Sequence, residues 1–153
     1  MIHHRFDTLW NFHHVRVVGA CSLRELVEYG MHLRDRPGPQ GNLDLPALFD
    51  LREIELPNDT TDDIKAAIRL RKSLKPETGQ NPCAYVMRSP GSFGIMRMYG
   101  TYAEIAGLRT QTLTLVTLDL DEAIEWLIGH MDLRGADADQ VRALLRHPPK
   151  FSG

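Results

Sequence analysis

The sequence predicts an α/β domain in which helices pack on a mostly parallel β-sheet. Short apolar segments rich in β-branched and aromatic residues alternate with segments whose apolar residues recur at helical spacing, in the order β-β-α-β-α-β-α-β-α plus a terminal helix. The first two strands have no helix between them, so we expect a hairpin and therefore a mixed sheet. The length of 153 residues is that of one domain. Strands are predicted at 2–8, 11–19, 45–51, 83–87 and 112–118, and helices beginning near 22, 64, 90, 119 and 137.

The second predicted strand carries apolar residues on both faces. Val15 and Val17 share one face, and Phe12 and Val18 fall on the other. A strand that is apolar on both sides is typical of a sheet covered by helices on both faces. We therefore expect two helical layers.

Two helix starts have recognisable caps. Ser22 and Glu25 have the spacing of a capping box, in which each side chain bonds the other residue's backbone amide. Asp119 and Glu122 repeat this pattern with an acidic cap. The first helix is expected to end before the proline- and glycine-rich loop at 37–42. Asn81-Pro82 breaks the chain before the fourth strand.

The composition excludes several classes of protein. The net charge is −2, so no basic field indicates binding to nucleic acid. No apolar run approaches the roughly 20 residues of a transmembrane helix, and the N-terminus has no signal-peptide pattern. Cys21 and Cys83 are 62 positions apart and are expected to be reduced thiols. These features favour a soluble, cytoplasmic protein.

Metal, cofactor and catalytic sites are not predicted. The doublets His3-His4 and His13-His14 would lie on neighbouring strands, within cross-strand reach, but neighbouring residues of a strand point to opposite faces. Each doublet can therefore give only one ligand per face, and we expect no metal. There is no phosphate-binding glycine motif and no nucleophile elbow, and Ser89 and Ser92 are best explained by helix capping. We expect no cofactor and no enzymatic activity.

Two surfaces stand out by composition. The helix after residue 90 is unusually rich in methionine and tyrosine, which suits a helix core face, an apolar ligand pocket or an interface. Its candidate ligand or partner face consists of Phe93, Met96, Met98, Tyr99 and Tyr102. One helix also has a basic flank, which we expect to be solvated: Lys65, Arg69, Arg71, Lys72 and Lys75.

Four segments in order resemble the small bacterial SpoIIAA-like proteins, relatives of the STAS domain that are described as STAS/SEC14-like. These segments are Val17-Val18-Gly19, the strand at 45–50, the helix at 93–98 and the closing helix at 118–127. The resemblance covers residues 1–128 and leaves 129–153 as a C-terminal helical extension of the same domain. It implies a four- or five-stranded mixed sheet with helices and a homodimer. It contributes more to fold than to function.

The anti-sigma factor antagonists among the STAS relatives carry a phosphorylated serine before a helix, which the resemblance places near Thr60 or Thr61 here. The glycine of their motif is missing, and Asp59, Asp62 and Asp63 would repel a phosphate. N-capping explains these threonines more simply. The leading hypothesis is therefore a non-catalytic domain that binds a regulatory protein partner or an apolar, lipid-like small molecule, with a phosphorylation-controlled antagonist as the alternative.

Overall fold

The protein is described from a computed structural model, which covers residues 1–42, 44–56, 61–73, 81–109 and 111–151. The strands are β1 (Ile2–Asp7), β2 (Phe12–Ala20), β3 (Ala47–Glu55), β4 (Cys83–Val86) and β5 (Thr114–Thr117). The helices are α1 (Leu23–Arg34), α2 (Thr61–Ser73), α3 (Pro90–Ile105), α4 (Leu120–His130) and α5 (Gly135–Arg146), with 3₁₀ turns at Gly38–Gly41 and Gln111–Leu113.

The five strands form one mixed sheet in the order β1-β2-β3-β4-β5. β1 pairs antiparallel with β2, and every later pair is parallel. The α/β class, the hairpin and the mixed sheet are therefore confirmed, as is the C-terminal helix. Because each parallel strand is followed by a crossover to its immediate neighbour, α1, α2 and α3 fall on the same face of the sheet.

Each face of the sheet has its own apolar core. Residues of α1, α2 and α3 pack with Val15 and Val17 of β2 on one face. On the other face, α4 and α5 pack with Phe12, Leu48 and Ala84. The two-sided pattern expected for β2 is thus observed for Val15 and Val17 on one face and Phe12 on the other. α5 buries Val141 and Leu145 in the second core, so the terminal helix packs on its own domain.

The capping box at α1 is present in full. The Glu25 amide donates to the Ser22 hydroxyl over 3.1 Å, and the Ser22 amide donates to the Glu25 carboxylate over 2.8 Å. At α4 only half of the pattern forms. The Asp119 carboxylate accepts from the amides of Asp121 and Glu122. The Glu122 carboxylate accepts from the Thr117 hydroxyl, and the amide of Asp119 donates to that hydroxyl and not to Glu122.

Two predicted strand boundaries were wrong. β3 begins at Ala47, after Pro46, and continues to Glu55. Its extra residues pair with the end of β2 beyond a register shift between Arg16 and Val18. β5 is shorter than expected because residues 111–113 form a 3₁₀ turn. No helix of the described ranges is long and apolar enough to cross a membrane.

Candidate functional site

A cavity of about 140 Å³ lies between the sheet and the helices of the α1–α3 layer, and it is partly open to the surface. Its walls are mostly apolar. From α1 come Leu23, Leu26, Val27, Gly30, Met31 and Leu33; from the sheet come His13, Val15, Ala47, Phe49, Cys83 and Tyr85; from other segments come Arg71, Asn81, Met96, Tyr99 and Arg109.

The centre of the sheet supplies an aromatic floor. Phe49 of β3 and Tyr85 of β4 are neighbours in the parallel register. Their rings stack with centroids 4.9 Å apart and an interplanar angle of 18°. Both side chains lie beneath the helical layer yet are only partly buried, because they face the cavity. A ligand in the cavity would therefore contact the apolar rings of both residues.

Gly30 is the one glycine among the residues of α1 that line the cavity. It lies in the interior of the helix and lines the cavity, where it presents no side chain to the sheet. A Cβ atom added at this position would meet no heavy atom within 4 Å. Glycine in a helix interior is unfavourable by about 1 kcal/mol relative to alanine. Glycine at position 30 therefore lowers the stability of the helix, whereas a larger residue there would reduce the volume of the cavity.

One end of the cavity is polar, and it lies at the amino ends of the parallel strands. Asn81, just before β4, donates from Nδ2 to the Leu45 carbonyl over 2.8 Å and to Cys83 Sγ over 3.2 Å. Arg109, before β5, donates to the Asn81 side-chain oxygen over 3.0 Å and to its carbonyl over 2.6 Å. The guanidinium also donates to the Thr114 hydroxyl and the Leu113 carbonyl. These bonds hold Arg109 and Asn81 rigidly at the end of the cavity.

The charge at this end is positive. Arg109 is only 7% exposed, and its hydrogen-bond acceptors are neutral oxygens. Arg71, from the last turn of α2, lines the same cavity. Burial raises the pKa of Cys83 and of Tyr85, while Arg109 and Arg71 oppose that rise. Both guanidiniums therefore act electrostatically on the same cavity wall.

A histidine pair lies beside this polar end. His13 of β2 lines the cavity and touches His4 of β1, with His4 Nε2 and His13 Nδ1 3.0 Å apart. The second ring nitrogen of His13, Nε2, lies 3.0 Å from the Asn42 carbonyl, which can only accept, so this nitrogen carries the proton. In neutral His13, Nδ1 then accepts from His4 Nε2–H. That leaves His4 Nδ1 as an acceptor facing Arg36 Nη1 at 3.3 Å.

The resulting chain, Arg36 to His4 to His13 to the Asn42 carbonyl, requires both rings to be neutral. Burial, followed by repulsion from His13 when it is protonated and from Arg36, lowers the pKa of His4 to about 4. Burial also lowers the pKa of His13, although its bond to Asn42 opposes the shift. The chain links the β1–β2 hairpin to the segment that follows α1. It confirms the cross-strand contact expected from the histidine doublets.

His14 lies on the opposite face of the sheet, away from the cavity. It is 2% exposed, and the ring of Phe151 stands against it with centroids 5.0 Å apart. Burial lowers the pKa of His14 to about 4, although the nearby Asp50 carboxylate opposes this shift. Asp50 accepts two bonds from the Arg52 guanidinium, each 2.9 Å long, and a third of 3.2 Å from the Arg52 amide. Within the described ranges, no group of three or more His, Cys, Asp or Glu side chains could hold a metal ion.

Of the five residues of the candidate face on α3, two line the cavity and three lie outside it. Met96 and Tyr99 are buried and line the cavity. Phe93 and Tyr102 are partly buried against the same core, each covered by a cation 5.7 Å from the ring centroid. Met98 is 43% exposed on the outer side of the helix. The five residues therefore do not form a single face.

The candidate phosphorylation site is only partly described. Thr60 lies outside the described residues. Thr61 is the first residue of α2, where its side chain is exposed and its hydroxyl lies 4.0 Å from Met98 Sδ. Asp62 and Asp63 follow in the first turn of the helix, as the sequence indicates.

Sequence reasoning missed the polar end of the cavity. Arg71 was predicted to be solvated, yet it lines the cavity. Asn81 was interpreted only as a break before β4, and Arg109 was not singled out. The one available signal was the position of Asn81 and Arg109 in the segments that lead into β4 and β5, because the amino ends of parallel strands meet at one edge of a sheet. In a comparison with known proteins, no family model, curated protein or solved structure matches the chain.

Proposed function

We propose that this protein is a non-catalytic binding domain that holds an apolar small molecule in the cavity beneath α1. The observation that carries the proposal is the size and lining of that cavity. At about 140 Å³ it is close to the volume of about 150 Å³ at which an engineered apolar cavity takes up benzene. The aromatic floor and the aliphatic residues of α1 would bury the ligand by the hydrophobic effect.

The lining residues with reactive side chains support binding and not catalysis. Burial raises the pKa of Cys83, which favours the unreactive thiol over the thiolate. The Cys83 sulfur also accepts a bond from Asn81. His13 uses both ring nitrogens in the chain from His4 to Asn42. Cys83 and His13 would therefore have to lose these hydrogen bonds before either could act as a catalytic group.

Native mass spectrometry tests the proposal directly. On protein purified from its own host, we expect additional mass that is lost on denaturation and that corresponds to an apolar molecule. Adding 3-phenylpropan-1-ol to ligand-free protein should give a saturable 1:1 complex. A clean ligand-free mass, together with no saturable complex at millimolar probe, would contradict the proposal.

The remaining hypotheses stay predictions. Native mass spectrometry also tests for a homodimer and for a regulatory protein partner. A homodimer predicts twice the mass of the chain, and a partner predicts the mass of the chain plus that of a second protein. A phosphorylation switch at Thr60 or Thr61 predicts a mass gain of one phosphate in cells. Finding only unmodified protein under all growth conditions would count against it.

A further inference from the structure

We infer that the ligand is an amphipathic carboxylate, whose apolar body lies under α1 and whose carboxylate lies at Arg71 and Arg109. This inference rests on the proposed function and specifies the ligand class of the same cavity. It follows from three features of the polar end: a buried cation bonded only to neutral groups, a second cation beside it, and the separation of these charges from the apolar walls.

Arg109 is the first feature. A guanidinium has five N–H groups, and four of them are used in bonds to Asn81, Leu113 and Thr114. The remaining N–H belongs to Nη1, which bonds the Asn81 side-chain oxygen. No carboxylate of the described residues forms an ion pair with Arg109. A buried charge without a counter-ion is unfavourable, so an anion at this place would be stabilised.

Arg71 is the second feature. It is partly buried at the end of α2, and within the described part of the chain it forms no hydrogen bond and no ion pair. Its charge acts on Cys83 and Tyr85, as does that of Arg109. No described residue occupies its planar donor fork, which can bind a carboxylate through two parallel bonds.

The third feature is the arrangement of the lining. Arg71, Asn81 and Arg109 lie at the amino ends of the strands, whereas Leu23 and Val27 extend the cavity along α1 towards the other edge of the sheet. Polar groups at one end and apolar groups along the length match a molecule with one charged end. A wholly apolar ligand would leave both guanidiniums without an anionic partner among the described residues, in a site that the ligand itself shields from water.

The test compares two probes of the same size, 3-phenylpropanoate and 3-phenylpropan-1-ol, by isothermal titration calorimetry at pH 7.5. We expect the carboxylate to bind about 10- to 100-fold more tightly, as is typical of charge-assisted bonds. Arg71→Met should weaken carboxylate binding by about tenfold or more and change alcohol binding by less than about twofold. Arg71→Lys, which keeps the charge without the fork, should give an intermediate affinity.

Arg69→Met is the matched control, since Arg69 lies on the same helix with its side chain exposed. It should change neither affinity. Equal binding of both probes to the wild type, with no effect of Arg71→Met, would overturn the carboxylate inference and leave the apolar cavity function standing. Failure of both probes to bind would instead contradict the proposed function itself.

Discussion

Replacing Gly30 with leucine is expected to abolish ligand binding and to stabilise the protein. The new side chain would enter the cavity, where a Cβ atom meets nothing within 4 Å. Removing glycine from a helix interior and burying aliphatic carbon should together raise the free energy of unfolding by about 1–3 kcal/mol. Most cavity-lining substitutions destabilise a protein, so a gain in stability with a loss of binding would be a specific result. Urea denaturation and probe calorimetry measure the two effects.

Two control variants separate the effect of side-chain volume in the cavity from the effect of removing a glycine from a helix. Gly30→Ala should raise the free energy of unfolding by about 1 kcal/mol and leave most of the cavity open. Gly129→Leu adds the same side chain to α4, on the other side of the sheet, where Gly129 is exposed and an added Cβ also meets nothing. It should leave probe affinity unchanged. Retained binding in a folded Gly30→Leu protein would show that the ligand does not occupy this cavity.

Acidification from pH 7.5 to 5 is expected to destabilise the protein by about 4 kcal/mol. The pKa of His4 and that of His14 are each lowered from 6.5 to about 4 in the folded state. The unfolded chain therefore takes up protons first as the pH falls below 6.5, and stability falls until the folded histidines also titrate near pH 4. At pH 5 each residue accounts for about 2 kcal/mol of the loss. Urea denaturation at a series of pH values measures this slope.

His14→Gln isolates one of these contributions, since it removes a titrating group on the face opposite the cavity. Its free energy of unfolding should fall by about 2 kcal/mol less than that of the wild type over the same pH range. Protonation of the His4–His13 pair would also set an N–H group against another N–H or against Arg36, so probe affinity should weaken in acid in both proteins. A His14→Gln pH profile parallel to that of the wild type would refute the assignment.

The order of elements and the layers could be predicted from the sequence because they depend on local patterns. Ser22 and Glu25 mark the start of α1 within four residues. Val15 and Val17 on one face of β2 and Phe12 on the other indicate that the strand is covered on both sides, and these three residues lie in the two cores. The end of β3 could not be predicted in this way. Glu53 and Glu55 are strand residues only because β2 lies alongside to pair with them.

The candidate site could be predicted only in part. Met96 and Tyr99 were selected by composition, and they line the cavity. Arg71 and Arg109 are 38 positions apart in the sequence. They line the same cavity because β4 and β5 are parallel neighbours in the sheet, and no local sequence pattern predicts that pairing. The role of Gly30 depends on the absence of a side chain facing the cavity. This role could not be predicted from the sequence, because it depends on the position of α1 over the sheet.

Methyl NMR with added 3-phenylpropanoate tests the central claim most directly. Shift changes at Val15, Leu23, Leu26 and Val27, with none at Leu127 or Val141 in the opposite core, are the result expected for a ligand beneath α1. Changes confined to the α4–α5 side, or an unchanged spectrum at saturating probe, would contradict the proposal that this cavity is the binding site.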